Sequence, residues 1–203
     1  METLETPGRL IVLEGIDDVG KSTIARHLSD RLRVAGRRPA LYSFPGREPG
    51  TLGAHVYDLY HDSAGVGVRR VTPCALQLLV TAAHVDVIES RILPALQRGE
   101  LVILDRYWWS TWVYGKAVGI SSEFLRELVS LETMVWLSVK PAVAFLITRQ
   151  ATLATADKRS VRLQDLYSDL ARDESTKYPV RVIRNDSTVA DAAQLILNDL
   201  QRD

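Results

Sequence analysis

Residues 15–23 read Gly-Ile-Asp-Asp-Val-Gly-Lys-Ser-Thr. Gly15 and Gly20 let a backbone turn tightly and approach an anion closely. Successive amide N–H groups of such a turn point inward, and the N-terminus of a following helix reinforces them. Lys21 adds a positive charge at the β- and γ-phosphates of a nucleotide, and the Ser22 hydroxyl suits Mg²⁺. Asp18, Val19 and Thr23 complete the candidate nucleotide-binding stretch. The spacing is the P-loop pattern. It predicts binding of nucleotide phosphates but leaves the reaction open, since kinases, GTPases and ATPases all use this loop.

Further charges stand at the ends of two other apolar runs. The first run leads into Phe44-Pro-Gly-Arg-Glu-Pro-Gly-Thr51 and the second into Asp105-Arg106-Tyr107. Ligands of open parallel sheets bind beyond the carboxyl ends of the strands, so both segments are expected beside the P-loop. Arg47 and Arg106 then face one cavity, where two guanidiniums suit the phosphate of a second substrate. Asp105 is a candidate to hold Mg²⁺ through water or to orient the attacking group.

The elements that would carry these residues follow from hydrophobic pattern. Arg9–Glu14, Ala40–Phe44, Leu101–Leu104, Met134–Val139 and Val180–Ile183 are short apolar runs of the kind found in buried parallel strands. Pro141 is expected to open a helix after the fourth. Ile24, Leu28 and Leu32 form one face of a helix over 22–33, which Gly36 ends. Leu76, Leu79, Val80, Ala83 and Val87 stripe a longer helix that Pro94 should kink or divide and Gly99 ends. Val189, Ala193, Ile196 and Leu200 share a face of the last helix. Strands alternating with helices predict an α/β fold: a five-stranded parallel sheet with helices on both faces. Residues 1–8 read as a loose tail and 9–203 as one domain. Loops are expected at 61–70 and, as a short lid, at about 150–160.

Bulk composition agrees with an ordinary globular domain. The chain has 203 residues, 46% of them hydrophobic, and 25 basic residues balance 25 acidic ones. This is not the basic excess of a nucleic-acid binder. Cys74 is the one cysteine, so no disulfide can form within the chain. No apolar run is long enough to span a membrane, and the first eight residues lack the pattern of a secretory signal, so a cytoplasmic protein is expected.

Taken together, residues 13–23, 44–51, 105–107 with Ser110 and Tyr114, 137–144 and 94–99 resemble the thymidylate kinase family over about residues 9–200. The resemblance implies a P-loop kinase fold, ATP and Mg²⁺ as cofactors, a small nucleotide as partner and a homodimer. It implies that Lys21 and Ser22 serve ATP and Mg²⁺, and that Asp17 lies near the acceptor's 3′-hydroxyl. It also implies that Arg47 reaches the acceptor phosphate and that Arg106 and Tyr107 belong to the acceptor site with Phe44 and Tyr114. The resemblance further implies that Arg149 precedes the lid and that Asn185–Ser187, Asp186 among them, lie near adenine.

The sequence departs from that family in three places. Val80 and His84 stand where the family has an aromatic ring that stacks on thymine and an arginine that reaches the base. Trp108, Trp109 and Trp112 stand where smaller residues are usual; they either pack in the interior or, for Trp109, shape the base pocket. Asp18 occupies the P-loop position at which one branch of the family has its catalytic arginine, leaving Lys158, Arg159 and Arg162 of the lid as candidates. The leading expectation is ATP-dependent phosphoryl transfer to a nucleoside monophosphate, dTMP first. The alternatives are a kinase of the same fold acting on a modified nucleotide, a nucleoside or another small metabolite, and a nucleotide-binding regulatory module without efficient transfer.

Overall fold

The structure, a computed structural model, describes residues 8–62, 64–150 and 157–202. In chain order the elements are β1 (Arg9–Glu14), α1 (Lys21–Val34), β2 (Ala40–Ser43), α2 (Leu52–His61), α3 (Pro73–Val87), α4 (Leu93–Gln97), β3 (Leu101–Asp105), α5 (Trp108–Ala117), α6 (Ser122–Val135), β4 (Val143–Thr148), α7 (Lys158–Glu174), β5 (Val180–Arg184) and α8 (Val189–Leu200). A single π-helical segment, Ile88–Ile92, joins α3 to α4, and Pro94 sits in the first turn of α4, where its missing N–H costs nothing.

All five strands pair in parallel in the order β2-β3-β1-β4-β5. The chain leaves β1 toward one side of the sheet and later crosses to the other. The switch point therefore lies at the carboxyl end of β1, where such sheets bind ligands. Leu10, Ile11, Val12 and Leu13 are successive and all essentially inaccessible, so both faces of β1 are covered. Helix α1 packs against α8, whereas α5 packs against α6 and α7.

Two sequence expectations need correction. Met134–Val139 is not a strand, and Pro141 opens no helix. Helix α6 runs on through Val135, and Trp136 then turns into the core, 1% exposed, against Phe44 and Tyr107. The strand beside β1 is Val143–Thr148, whose Val143–Leu146 pair with Ile11–Glu14. At the far end of the lid expected over 150–160, Lys158–Ser160 form the first turn of α7, capped by the Asp157 side chain on the Ser160 amide. Residues 151–156 lie outside the described residues, as does most of the expected tail at 1–8.

Candidate active site

The segment 15–20 leaves β1 and enters α1 through backbone angles that few residues adopt. Gly15 and Gly20 have φ values of 139° and 93°, and Asp18 follows the same region at 64°. A Cβ on Gly15 would lie 2.4 Å from the Ile147 carbonyl oxygen, and one on Gly20 would lie 2.6 Å from Asn185 Nδ2. Asn185 is buried and donates from that amide to the Val19 carbonyl at 2.8 Å, tying the loop to the end of β5. Gly20→Ala therefore meets both a left-handed backbone penalty of about 1–2 kcal/mol and a clash. ATP affinity measured by calorimetry is expected to fall by roughly tenfold or more, since the loop amides lose their alignment. Asn185→Ala in the same chain relieves the clash but also removes the tie to Val19, so affinity is expected to stay well below that of the wild type.

Lys21 is 5% exposed and donates from Nζ to the Ile16 carbonyl at 2.5 Å, so the amine folds back over the cradle. Burial and the neighbouring Arg106 push its pKa down to about 8, against the pull of Asp105, Asp17 and Glu14. The Ser22 hydroxyl donates to Asp105 Oδ2. The other carboxylate oxygen of Asp105 is buried and has no partner among the described residues. A hydroxyl beside a half-satisfied carboxylate, both oxygen donors, fits a hard divalent cation such as Mg²⁺. Ser22 and Asp105 are the residues that would hold it.

Arg106 is the centre of the opposite wall. It has a φ of 77°, unusual for a residue with a Cβ. Its guanidinium donates to Asp17 Oδ1 and to Ser110 Oγ, the latter at 3.1 Å, and lies 5.4 Å from the Tyr114 ring centroid. Tyr114 in turn donates to Asp17 Oδ2 at 2.7 Å. Partial burial pushes the Asp17 carboxyl up, but Arg106 and the Tyr114 hydroxyl outweigh it and hold the group below its usual range. Burial works against the Arg106 charge, and Tyr167, Tyr114, Asp17 and Glu14 more than offset it.

Glu14, which the sequence reading passed over, organises this wall from beneath. It is wholly inaccessible, and its Oε1 accepts from the Tyr107 and Ser110 amides at 2.7 and 3.1 Å, capping the start of α5. Its Oε2 accepts from Ser110 Oγ at 2.9 Å, and Ser110 Oγ also lies 2.9 Å from the Tyr167 hydroxyl of α7. Burial pushes the Glu14 pKa up against Arg106 and these hydrogen bonds. The available signal was a carboxylate closing an otherwise apolar buried strand: such a charge needs partners, and the Tyr107 and Ser110 groups supply them with the Arg106 charge nearby.

One cavity of about 680 Å³ brings most of these groups together. Its lining includes Asp17, Asp18, Gly20, Lys21, Ser22 and Thr23 from the P-loop end. Phe44, Arg47, Val80, His84, Asp105, Arg106 and Tyr114 line it from the other elements. Arg47 lies over the Tyr57 ring, 4.1 Å from its centroid. Two expected acceptor contacts do not reach this space. Trp109 is fully buried and donates from Nε1 to the Tyr178 hydroxyl at 2.9 Å, so it belongs to the core between α5 and the end of α7. Tyr107 is 4% exposed and packs on Trp108 and Trp136. Both are consistent with large aromatics filling the interior. Trp108 is likewise buried.

The remaining expected contacts lie around the edge. Val19 has a fully buried side chain, leaving its backbone to the loop. Arg149 is exposed at the end of β4, and Asp186 accepts from the Gln150 amide at 2.6 Å. Lys158 and Arg159 are exposed on the first turn of α7 and are not part of the cavity wall.

A phosphate-binding loop at the switch point of a 2-3-1-4-5 parallel sheet, facing two arginines across one cavity, defines a P-loop phosphotransferase of the nucleotide kinase type. The model of the family described as thymidylate kinase matches residues 13–196. A thymidylate kinase of Dinoroseobacter shibae is 40% identical over 148 residues, covering 73% of this chain and 68% of the relative. Another from Ruegeria pomeroyi is 32% identical over 215 residues, covering 96% of this chain and 97% of its own. The crystal structure of a thymidylate kinase from Ehrlichia chaffeensis shares the fold at a TM-score of 0.76 and 22% identity, covering 97% of this chain and 100% of that one. The chain belongs to the thymidylate kinase family, and with it to the nucleoside monophosphate kinases, a class of transferases.

Proposed function

We propose that this protein transfers the γ-phosphoryl group of ATP to dTMP, forming dTDP and ADP. The observation that carries this is the shared cavity: Lys21 and Ser22 at the P-loop with Asp105 beside them, and Arg47 and Arg106 opposite. The loop amides and Lys21 hold the donor phosphates, and Arg47 and Arg106 hold the acceptor phosphate. Asp17, drawn into place by Arg106 and Tyr114, meets the sugar of the acceptor. Phosphoryl transfer asks the protein for alignment and neutralisation of charge rather than for a covalent intermediate. Ser22 and Asp105 would hold Mg²⁺, which would supply neutralisation of the donor phosphates. Lys158 or Arg159, on the first turn of α7, brings a further positive charge to the transferring phosphoryl group, and Arg149 and Asp186 border the adenine end.

The test is ADP release with ATP, Mg²⁺ and a panel of monophosphates and nucleosides. ADP formed only when dTMP is added supports the proposal; ADP release independent of every acceptor overturns it. Arg47→Ala is expected to raise the KM for dTMP by roughly tenfold to a hundredfold while the KM for ATP barely moves, because one charge-assisted phosphate contact is lost. Equal loss for both substrates would remove Arg47 from the acceptor side.

The same reading takes residues 9–203 as one cytoplasmic domain. Among the described residues no helix is long and apolar enough to cross a membrane. A homodimer through α3 is supported by Leu78 and Leu79, which lie adjacent on that helix and are 47% and 37% exposed. Sedimentation of the purified chain as a monomer at micromolar concentration would exclude it.

A further inference from the structure

Helix α7 turns Leu163, Tyr167, Ala171 and Glu174 inward, at the spacing of one helical face. Tyr167 is wholly inaccessible, and its hydroxyl lies 2.9 Å from Ser110 Oγ in the first turn of α5. A serine hydroxyl has one hydrogen and two lone pairs to share. Ser110 Oγ donates to Glu14 Oε2 at 2.9 Å and accepts at 3.1 Å from the Arg106 guanidinium, which can only donate. The remaining lone pair accepts, so Tyr167 is the donor. Burial and Glu14 push the Tyr167 pKa well above its usual value, so the phenol keeps the proton this requires. Ser110 Oγ is then fully engaged. The guanidinium depends on it, because its other partner, the Asp17 side chain, is 62% exposed, whereas Ser110 is 9% exposed.

We propose that Tyr167 is a positioning residue for the acceptor phosphate, acting from α7 through Ser110 to hold the Arg106 guanidinium against the cavity. This rests on the phosphoryl-acceptor reading of Arg106. Tyr167 is not part of the cavity wall and touches neither nucleotide. A hydroxyl with every site engaged has one orientation. Without the Tyr167 donor, Ser110 Oγ keeps an unmet lone pair, and Arg106 loses a fixed acceptor. The loss falls on alignment at the acceptor phosphate, where small displacements are costly. A second tyrosine between the same helices provides the contrast. Tyr178, just beyond α7, accepts from Trp109 Nε1 at 2.9 Å, and Trp109 is fully buried away from the cavity wall. Both hydroxyls tie the α7 region to α5, but only that of Tyr167 leads to Arg106.

The experiment measures steady-state kinetics, calorimetric dTMP binding and Tm for the wild type, Tyr167→Phe, Tyr178→Phe, Ser110→Ala and the Tyr167→Phe/Ser110→Ala double variant. Tyr167→Phe should raise the dTMP KM and weaken dTMP binding by about three- to tenfold, the worth of one hydrogen bond, with the ATP KM within about twofold. Tyr178→Phe should lower Tm yet leave the dTMP KM within about twofold. The double variant should bind dTMP no more weakly than Ser110→Ala, because the Tyr167 hydroxyl acts only through Ser110. Unchanged dTMP affinity in folded Tyr167→Phe, an equal rise in Tyr178→Phe, or additive losses in the double variant overturn the inference alone. If Tyr167→Phe does not fold, Ser110→Ala decides: weaker dTMP binding with the ATP KM unmoved supports the chain of contacts, and unchanged dTMP binding breaks it at its middle. If the wild type binds dTMP without transferring phosphate, the functional reading fails, and the binding ratios of the same variants still decide the inference. A wild type that does not bind dTMP overturns both.

Discussion

Lys21→Ala is expected to lower kcat/KM for dTMP phosphorylation by roughly a thousandfold, equivalent to about 4 kcal/mol of transition-state stabilisation. The amine is the buried positive charge at the mouth of the P-loop, 5% exposed, with its hydrogen bond to the Ile16 carbonyl as a resting contact. No neighbour replaces it, because Arg106 is committed to Asp17 and Ser110. The wild type carries a pH signature of the same group. Its pKa is held at about 8 by burial and by Arg106, and only the protonated amine attracts phosphate. Bound ATP raises that pKa, so binding takes up a proton above the free-enzyme value. ATP affinity should therefore be flat below pH 8 and weaken by up to about tenfold per pH unit above it. Calorimetry between pH 6.5 and 9.5 checks this, and the slope should vanish in Lys21→Ala. A variant that keeps wild-type turnover would refute the phosphate-binding role.

Arg106→Met should damage stability and activity together, and the two effects can be separated. Glu14 is wholly inaccessible, with burial pushing its pKa up and Arg106 the first influence opposing that rise. Breaking a directly bonded buried pair costs about 3–5 kcal/mol; Glu14 instead keeps its hydrogen bonds to Tyr107 and Ser110 and loses only the nearby Arg106 charge. The Arg106 side chain keeps 21% exposure, so about 2–3 kcal/mol is the better expectation, a fall in Tm of roughly 5–10 °C for a chain of this size. Activity should drop by about a hundredfold or more, since Asp17 loses its anchor and the acceptor phosphate one of its two arginines. Adding Glu14→Gln removes the buried charge, so the double variant should regain much of the Tm but none of the activity. Recovery of both would mean that Arg106 acts on the fold alone.

The parts of this protein legible in its sequence are those whose geometry is local. The P-loop follows from the spacing of Gly15, Gly20, Lys21 and Ser22, because glycines at left-handed angles and a helix start next to a strand are decided within nine residues. β1 falls at Arg9–Glu14 as its unbroken apolar run indicates, and Asp105-Arg106 closes β3 at the switch point as strand-end charges should. The fourth strand was misplaced because Met134–Val139 and Val143–Thr148 are both short apolar runs. Periodicity does not rank two such runs; pairing with Ile11–Glu14 on the central strand does.

The rest was decided only in three dimensions. Trp109 meets Tyr178, 69 residues away, and so leaves the base pocket for the core. His84 meets Glu132, 48 residues away, and Glu14 meets Ser110, 96 residues away. A local pattern reveals that a tryptophan will be buried or that a carboxylate in an apolar strand needs a partner. It cannot name the partner, because that depends on which helices the sheet order brings together. The amino-acid sequence by itself determined the donor half of the site, where backbone conformation sets the chemistry. Tertiary packing determined the acceptor half, where α3, α5 and α6 converge and the buried partner of each polar side chain fixes which of its atoms remain for a ligand.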